Sequence, residues 1–217
     1  MANSGLLKNI RSGIIVLGLF ASVTTGLVVL VHQLTEERVA ANERAAVLRS
    51  LHALVPSDRL DNDLYHDAIT VRDPELLGAP DGVMVYRARK QGLPVATIFN
   101  VVAPDGYSGP IALLVAVTYA GEVMGVRVVG HKETPGLGDK IEERRTPWLH
   151  GFERKNLQDP PLVSGWGVRR DGGAFDQFSG ATITPRAVVK AVKNTLVYYS
   201  RHRDELFAAP SAKELAP

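Results

Sequence analysis

The sequence is organised around one seven-residue stretch, Asp176-Gln177-Phe178-Ser179-Gly180-Ala181-Thr182. Gly180 allows a sharp bend because glycine lacks the Cβ atom that restricts φ. Ala181 is small and leaves the hydroxyl of Thr182 sterically open. The stretch therefore predicts a tight turn that presents one threonine hydroxyl. Taken alone, it is also explained as an ordinary loop before a helix, since short motifs often match by chance.

A long helix is predicted directly after this turn. Thr184 suits the N-cap position and Pro185 suits the first helical position. Apolar side chains then recur at helical spacing, at Val188, Val192, Leu196 and Tyr199. Thr182 is thereby placed two residues ahead of a helix N-terminus, where backbone N–H groups and the helix dipole favour an anionic phosphate. Arg186 in the first turn offers a fork of donors to the same phosphate.

The composition of the 217 residues excludes several classes of site. The net charge of +2 is nearly balanced, so no nucleic-acid footprint is visible. Because the sequence has no cysteine, thiolate-held iron–sulfur clusters, disulfides and flavin attachment through cysteine are excluded. The six histidines are scattered without metal-ligand spacing, and no metal site is predicted. Any redox chemistry must therefore come from an organic cofactor.

The N-terminal part of the chain predicts a membrane anchor. After a polar leader at 1–12, residues 13–31 carry no charge, and a helix of that length spans about 28 Å, close to a hydrocarbon core of about 30 Å. We assign the transmembrane helix to 13–32. A cleaved signal peptide fits less well, because its apolar core usually has only about 7–15 residues. Lys8 and Arg11 precede the span, so the positive-inside rule places the N-terminus in the cytoplasm and the main domain across the membrane.

A stalk helix and a connector are predicted at 33–80. Residues 36–54 fit a helix that continues from the anchor and stops before Pro56, whereas 56–80 are polar and we expect little regular structure there. Small side chains recur four residues apart on one face of the anchor, at Gly18, Ser22 and Gly26. Such a face allows close approach of a second transmembrane helix, although glycine is also common in membrane helices generally.

The hydrophobic pattern becomes two-fold and β-branched from Val83 onward, which predicts an antiparallel sheet. The predicted strands are 83–90, 93–102, 111–118 and 122–129. Gln91-Gly92 and Ala120-Gly121 join them in pairs as hairpins. The helix after Thr184 covers one face of the sheet, which gives an α+β fold. The predicted domain spans 81–207, followed by a flexible tail at 208–217.

Two loops leave the strand ends where they can hold a ligand. The loop at 105–110 is rich in turn residues and presents Tyr107, which can stack on a flat ring, and Ser108, which can bond the ring edge. From its residues alone, a tight connection with an exposed tyrosine explains it more simply. The loop at 131–139 contains a Thr-Pro-Gly turn, and its glycines free backbone N–H and C=O groups to approach a ligand closely. Packing or structural roles are predicted for three further residues, Trp148, Trp166 and His131.

The seven-residue stretch resembles a flavinylation signature, Asp-x-x-Ser-Gly-Ala-Thr, which periplasmic flavin transferases recognise. The longer run at 171–189 resembles the G subunit of the Rnf ion-motive electron-transport complex and, more distantly, the C subunit of the sodium-pumping NADH:quinone reductase. Glu133-Thr134-Pro135-Gly136-Leu137-Gly138 resembles the motif that lines the flavin in the Rnf G family. Ser179 stands where many relatives have threonine, which keeps the hydroxyl.

The resemblance implies FMN bound covalently by a phosphoester to Thr182. It implies that Asp176 is recognised by the transferase. Together with the residues predicted above from their own chemistry, this gives the predicted cofactor-binding set, which comprises Tyr107, Ser108, Glu133, Thr134, Gly136, Leu137, Gly138, Ser179, Gly180, Ala181, Thr184 and Arg186.

The resemblance also implies an electron-carrier subunit of an ion-translocating oxidoreductase, a translocase that couples electron flow between ferredoxin and NAD to movement of sodium ions or protons. The implied location is the bacterial inner membrane with a periplasmic domain, and the implied partners are other membrane subunits of the complex, a flavin transferase and the lipid bilayer. Two alternatives remain open from the residues. One is a membrane-anchored periplasmic ligand-binding or sensor domain without covalent flavin, and the other is a structural subunit without a cofactor.

Overall fold

The protein combines a long N-terminal helix with a five-stranded sheet and a second long helix. The computed structural model describes residues 3–161 and 165–211, with side chains of the first helix described from Leu17 onward except at positions 37, 40 and 43. The helices are α1 (Asn3–Leu54), α2 (Pro74–Leu77) and α3 (Ile183–Ala208), and the strands are β1 (Ala68–Val71), β2 (Val83–Lys90), β3 (Leu93–Ala103), β4 (Ile111–Thr118) and β5 (Val123–Gly130). The chain divides into two compact units, Met1–Val47 and Leu48–Pro217.

The first unit contains α1 as far as Val47, and residues 48–54 of this helix belong to the second unit. Among the described residues, one stretch is long and apolar enough to cross a membrane, namely Leu17–Glu36, with a mean hydropathy of 1.7 and none of it buried. It overlaps the predicted span at 13–32, whose first four residues, like the predicted leader at 1–12, have side chains outside those described. The helix runs without a break to Leu54, as predicted for a stalk that continues from the anchor.

The sheet is an antiparallel meander in the order β1-β2-β3-β4-β5. Four of its strands lie within one residue of the predicted limits, which confirms the two-fold pattern. The predicted turn between β2 and β3 has φ values of 52° at Gln91 and 75° at Gly92, as a two-residue hairpin turn with positive φ at both positions requires.

The core lies between α3 and one face of the sheet. Phe99 of β3 makes edge-to-face contacts with Tyr198 and Tyr199 of α3, with ring centroids 6.1 and 6.3 Å apart. The four apolar residues predicted to form a stripe on α3, Val188, Val192, Leu196 and Tyr199, are all at most 2% exposed. Alternate strand residues such as Ile98 and Ala116 are buried on the opposite face of the sheet. The α+β prediction is therefore confirmed.

The prediction of little regular structure at 56–80 is wrong for two segments. Strand β1 pairs with β2 in antiparallel register, with Ala68 opposite Tyr86. Asp73 caps α2 by accepting a hydrogen bond of 3.0 Å from the N–H of Leu76, and Gly78 ends this helix with a φ of 75°. Both elements are only four residues long, so their sequence carries too little periodicity to reveal them.

The C-terminal end of α3 is bonded to the sheet by two arginines of β2. Arg87 is only 2% exposed, and its Nη1 atom donates to the carbonyls of Leu206, at 3.0 Å, and of Ala209. Arg89 donates to the carbonyl of Phe207 at 2.8 Å. Both guanidinium groups also pair with the carboxylate of Asp67, with Nε–O distances of 2.7 and 2.9 Å. In the predicted tail at 208–217, Ala208 is still helical and residues 212–217 lie outside those described.

Candidate functional site

A cleft of about 270 Å³ opens where three segments of the second unit meet. These segments are the turn between β3 and β4, the loop that follows β5, and the residues that lead into α3. The lining residues are Tyr107, Glu133, Thr134, Leu137, Gly138, Gly180, Ala181, Thr182, Ile183 and Thr184. All but Ile183 belong to the set of site residues predicted from the sequence.

The seven-residue stretch folds as a tight turn anchored by aromatic rings. The N–H of Ala181 donates to the carbonyl of Phe178 at 3.1 Å, and Gly180 between them has a φ of 81°, which favours glycine. Phe175 and Phe178 are buried, with exposed fractions of 6% and 8%. Residues 176, 177, 179 and 180 of this stretch are exposed to solvent. The two buried phenylalanines therefore anchor the turn in the core, while these four residues face solvent.

Trp148 holds the start of the same stretch. Its Nε1 donates to the carbonyl of Asp176 at 2.8 Å, and its ring contacts Phe178 and Phe152 at centroid distances of 5.2 and 5.3 Å. The predicted packing role is confirmed, but sequence reasoning missed the hydrogen bond. The carboxylate of Asp176 forms an exposed ion pair with Arg169 at 2.9 Å.

Helix α3 begins at a different residue from the one predicted. Its N-cap is Thr182, with φ −86° and ψ −29°, and the hydroxyl of this residue caps none of the helix N–H groups. The predicted N-cap, Thr184, lies inside the helix, and its hydroxyl donates to Oε2 of the buried Glu133. The prediction failed because the competing acceptor lies 51 positions away in the sequence. Thr182 thus stands at the helix end itself, half-buried in the wall of the cleft.

The loop after β5 is a turn closed by its own backbone. The carbonyl of Thr134 accepts hydrogen bonds of 3.1 Å from the N–H groups of both Leu137 and Gly138. These two N–H groups are occupied, which differs from the expectation that the loop offers them to a ligand. Gly136 has a φ of 79°, as the turn requires. A Cβ at Gly138 would lie 2.8 Å from Glu133 and 2.9 Å from Thr184, so only glycine fits there.

His131 is bonded through both ring nitrogens, as expected for a structural histidine. Its Nδ1 accepts from the N–H of Glu133 at 3.0 Å, and its Nε2 lies 3.0 Å from Oε1 of Glu142. Hydrogen bonds from Arg144 and then from His131 lower the pKa of Glu142 to about 2.

Arg186 already has a partner for its donor fork. Its Nε and Nη2 atoms donate to Asp171 at 2.7 and 2.9 Å. The hydrogen bond from this arginine holds the pKa of Asp171 below its ordinary value. A phosphate at Thr182 would have to compete with Asp171 for the fork, so this contact stays a prediction that requires an exchange of partners.

Four of the predicted contact residues do not line the cleft, namely Ser108, Gly136, Ser179 and Arg186. Ser108 is engaged through its backbone, since its N–H donates to Oε1 of Glu133 at 2.9 Å. Ile183 was missed because it stands between two predicted residues and carries no polar group. Its side chain is 45% exposed at the cleft.

The groups that line the cleft fit a flavin nucleotide. Thr182 supplies a hydroxyl, and the first turn of α3 supplies helix N–H groups suited to a phosphate. Tyr107, Leu137 and Ile183 are 68%, 42% and 45% exposed and offer apolar surface for a ring system.

Comparison with known proteins gives two family matches and close relatives. A family model described as an FMN-binding domain matches residues 106–197, which contain every cleft-lining residue. A second model, of the RnfG N-terminal region, matches residues 1–54, which are α1 and the two residues that precede it in the sequence.

The relatives share one description, that of the G subunit of an ion-translocating oxidoreductase complex. The protein from Pseudomonas aeruginosa is 50% identical over 198 residues, which cover 91% of this chain and 92% of the relative. The one from Shewanella loihica is 45% identical over 92% of this chain and 93% of the relative. The one from Vibrio parahaemolyticus is 44% identical over 94% and 96%, respectively. The chain belongs to the family of G subunits of ion-translocating oxidoreductase complexes.

Proposed function

We propose that this protein is an electron-carrier subunit of a membrane-bound ion-translocating oxidoreductase and that it carries FMN as a phosphoester on Thr182. Family membership supports the role in a translocase complex, and the FMN-binding domain match supports the cofactor. The flavin supplies reversible electron transfer when bound, while the protein positions it and sets its redox properties. The complex links ferredoxin and NAD, as the sequence resemblance implies.

The observation that carries this proposal is the state of Thr182. Its hydroxyl lies at the N-terminus of α3, leaves the helix uncapped, and stands in the wall of a cleft whose rim is apolar. A threonine in the N-cap position ordinarily accepts a hydrogen bond from the first turn of the helix. Here the hydroxyl is available for modification, and the N–H groups of Ile183 and Thr184, the two helical residues ahead of Pro185, are available for the attached phosphate.

The helix end suits the charge that the phosphate keeps after attachment. A phosphodiester keeps one negative charge, and a negative charge at a helix N-terminus is stabilised by about 0.3–1 kcal/mol. Attachment also retains the flavin outside the cytoplasm, where a dissociated cofactor has no pool to replace it. In the proposed orientation α1 crosses the bacterial inner membrane with its N-terminus in the cytoplasm, and the second unit lies in the periplasm. The other subunits of the complex are its partners, and a flavin transferase acts on it during maturation.

The test is fluorescence of the denatured protein. Full-length protein produced together with a flavin transferase is expected to keep yellow fluorescence in a denaturing gel, and mass spectrometry is expected to find FMN on the tryptic peptide 171–186. Thr182→Ala is expected to abolish both signals, because the acceptor oxygen is removed. Ser179→Ala serves as the control, since that exposed hydroxyl does not line the cleft, and is expected to keep at least part of the fluorescence.

Two outcomes contradict the proposal. Full fluorescence in Thr182→Ala would move the linkage to another residue. A wild-type protein that is colourless, or that releases its flavin on unfolding, would instead support a sensor domain or a structural subunit without covalent flavin.

A further inference from the structure

Glu133 places a buried carboxylate in the wall of the cleft. Its side chain is 4% exposed, and each of its oxygens accepts a hydrogen bond from the protein. Oε1 accepts from the N–H of Ser108 at 2.9 Å, and Oε2 accepts from the hydroxyl of Thr184. Both donors are electrically neutral, so neither cancels the charge of the carboxylate.

These bonds join the three segments that form the cleft. Ser108 belongs to the turn between β3 and β4, Glu133 to the loop after β5, and Thr184 to the first turn of α3. The backbone is packed tightly around the carboxylate as well. A Cβ at Gly106 would lie 3.0 Å from Oε1, and one at Gly138 would lie 2.8 Å from Oε2. Glu133 therefore links the three segments and holds them in their relative positions.

We propose that Glu133 is a positioning residue that fixes the three walls of the flavin cleft, and that its buried negative charge keeps the reduction potential of the attached flavin low. The redox part of this inference rests on the proposed function. Sequence resemblance placed Glu133 among the flavin contacts, whereas its observed bonds assign both oxygens to the protein. Its influence on the flavin is then exerted through geometry and through charge.

The charge effect follows from burial. Reduction adds electrons to the flavin, and a nearby carboxylate disfavours this gain of negative charge. Salt and water screen a buried charge much less than an exposed one. Glu133→Gln removes the charge but keeps the shape, because its amide oxygen can accept from Ser108 and its NH₂ group can donate to Thr184.

The redox test uses full-length flavin-loaded protein in detergent, titrated with dithionite against reference dyes. Glu133→Gln is expected to shift the flavin midpoint potential to a more positive value. Asp139→Asn is the control, because Asp139 is also 4% exposed but does not line the cleft and has its charge paired with Arg145 at 3.3 Å. Its shift is expected to be clearly smaller. No shift in Glu133→Gln, or an equal shift in Asp139→Asn, overturns the charge role.

The positioning test uses the same chain produced without a flavin transferase. Glu133→Ala is expected to lower the thermal midpoint of this flavin-free protein, because the N–H of Ser108 and the hydroxyl of Thr184 lose their buried acceptor. Glu133→Gln is expected to restore most of the loss. An unchanged midpoint in Glu133→Ala, or a loss that glutamine does not restore, overturns the positioning role.

Thr184→Val separates the two roles, since it removes one bond to Glu133 and leaves the charge. It is expected to lower the thermal midpoint of the flavin-free protein without raising the reduction potential of the flavin. A raised reduction potential would contradict the assignment of the redox effect to the charge of Glu133. If wild-type protein proves to lack covalent flavin, the proposed function fails, while the midpoints of the flavin-free variants still decide the positioning role.

Discussion

The two ends of α3 differ in how their backbone polar groups are satisfied. At the C-terminal end, Arg87 and Arg89 donate to the carbonyls of residues 206, 207 and 209, and both arginines are paired with Asp67. At the N-terminal end, the N-cap residue Thr182 makes no capping bond. A helix end without a side-chain cap leaves N–H groups in need of partners. The carbonyls at the C-terminal end are thus bonded to the sheet, whereas the hydroxyl of Thr182 at the N-terminal end stays uncapped, as the proposed attachment of a ligand requires.

The largest loss of stability is expected when the side-chain contacts at the C-terminal end of α3 are removed. Arg87→Ala removes a guanidinium that is 2% exposed and leaves Asp67 with only one of its two arginine partners. Loss of one member of a buried pair destabilises by about 3–5 kcal/mol. Urea unfolding of the detergent-solubilised chain, followed by the fluorescence of Trp148 and Trp166, measures the loss. Arg89→Ala is the control, because Arg89 is 22% exposed and its loss is expected to be smaller. Equal losses in the two variants would contradict the account of this end.

A smaller effect is expected at the N-terminal end from Gly138→Ala. The added methyl group would lie within 3 Å of both Glu133 and Thr184, and such overpacking costs about 1–3 kcal/mol. The same urea measurement, together with in-gel fluorescence, is expected to show lower stability and reduced flavin attachment. Gly151→Ala is the matched control, since a Cβ there meets nothing within 4 Å. Normal flavin attachment in Gly138→Ala would show that Glu133 and Thr184 move aside for the methyl group more easily than their close packing indicates.

Trp148→Phe is expected to loosen the turn that precedes α3. The variant keeps a ring but loses the 2.8 Å bond to the carbonyl of Asp176, a loss of about 1 kcal/mol. We expect slower flavin attachment in a time course of in-gel fluorescence. Trp166→Phe is the control, because it loses a comparable bond, of 3.1 Å to the carbonyl of Asn156, away from the turn. If both variants are flavinylated at the same rate, the bond of Trp148 has no part in presenting the turn.

The smallest effect is expected from Asp171→Asn, which releases the fork of Arg186 beside Thr182. The hydrogen bond from Arg186 lowers the pKa of Asp171 from 3.8 in its ordinary state. The pair therefore stabilises the fold above pH 3.8, and this contribution is lost as the pH falls through the lowered pKa. Because the pair is exposed, we expect thermal midpoints of variant and wild type to differ slightly at pH 7 and to converge under acid conditions. A difference that grows on acidification would contradict this sign.

The sequence predicts the parts of the fold that rest on local patterns. The four hairpin strands and the apolar stripe of α3 were predicted correctly because alternation and helical spacing are read within a few residues. Strand β1 was missed, since its four residues form a strand only by pairing with β2. Its neighbour α2 was missed for a similar reason of length.

In the site, sequence identified the residues but not their bonds. Most of the predicted contact residues meet in one cleft. Local preference assigns the N-cap to Thr184, because it cannot reveal Glu133 as the partner of this hydroxyl. It also cannot reveal Asp171, 15 positions away, as the partner of Arg186, so the predicted contact of Arg186 with a phosphate stays a prediction. In both cases a distant residue competes with a local rule.

The bond between Arg87 and the carbonyl of Ala209 joins positions 122 residues apart. Contacts of such separation form late in folding, because a long loop must close before they are made. A polypeptide that stops a few residues short of position 206 would lack the carbonyls to which Arg87 donates, and its guanidinium would be open to water. The final turn of the last helix thus completes the bonding of the folded domain, and we expect a prematurely terminated chain to be digested faster than the full chain in limited proteolysis.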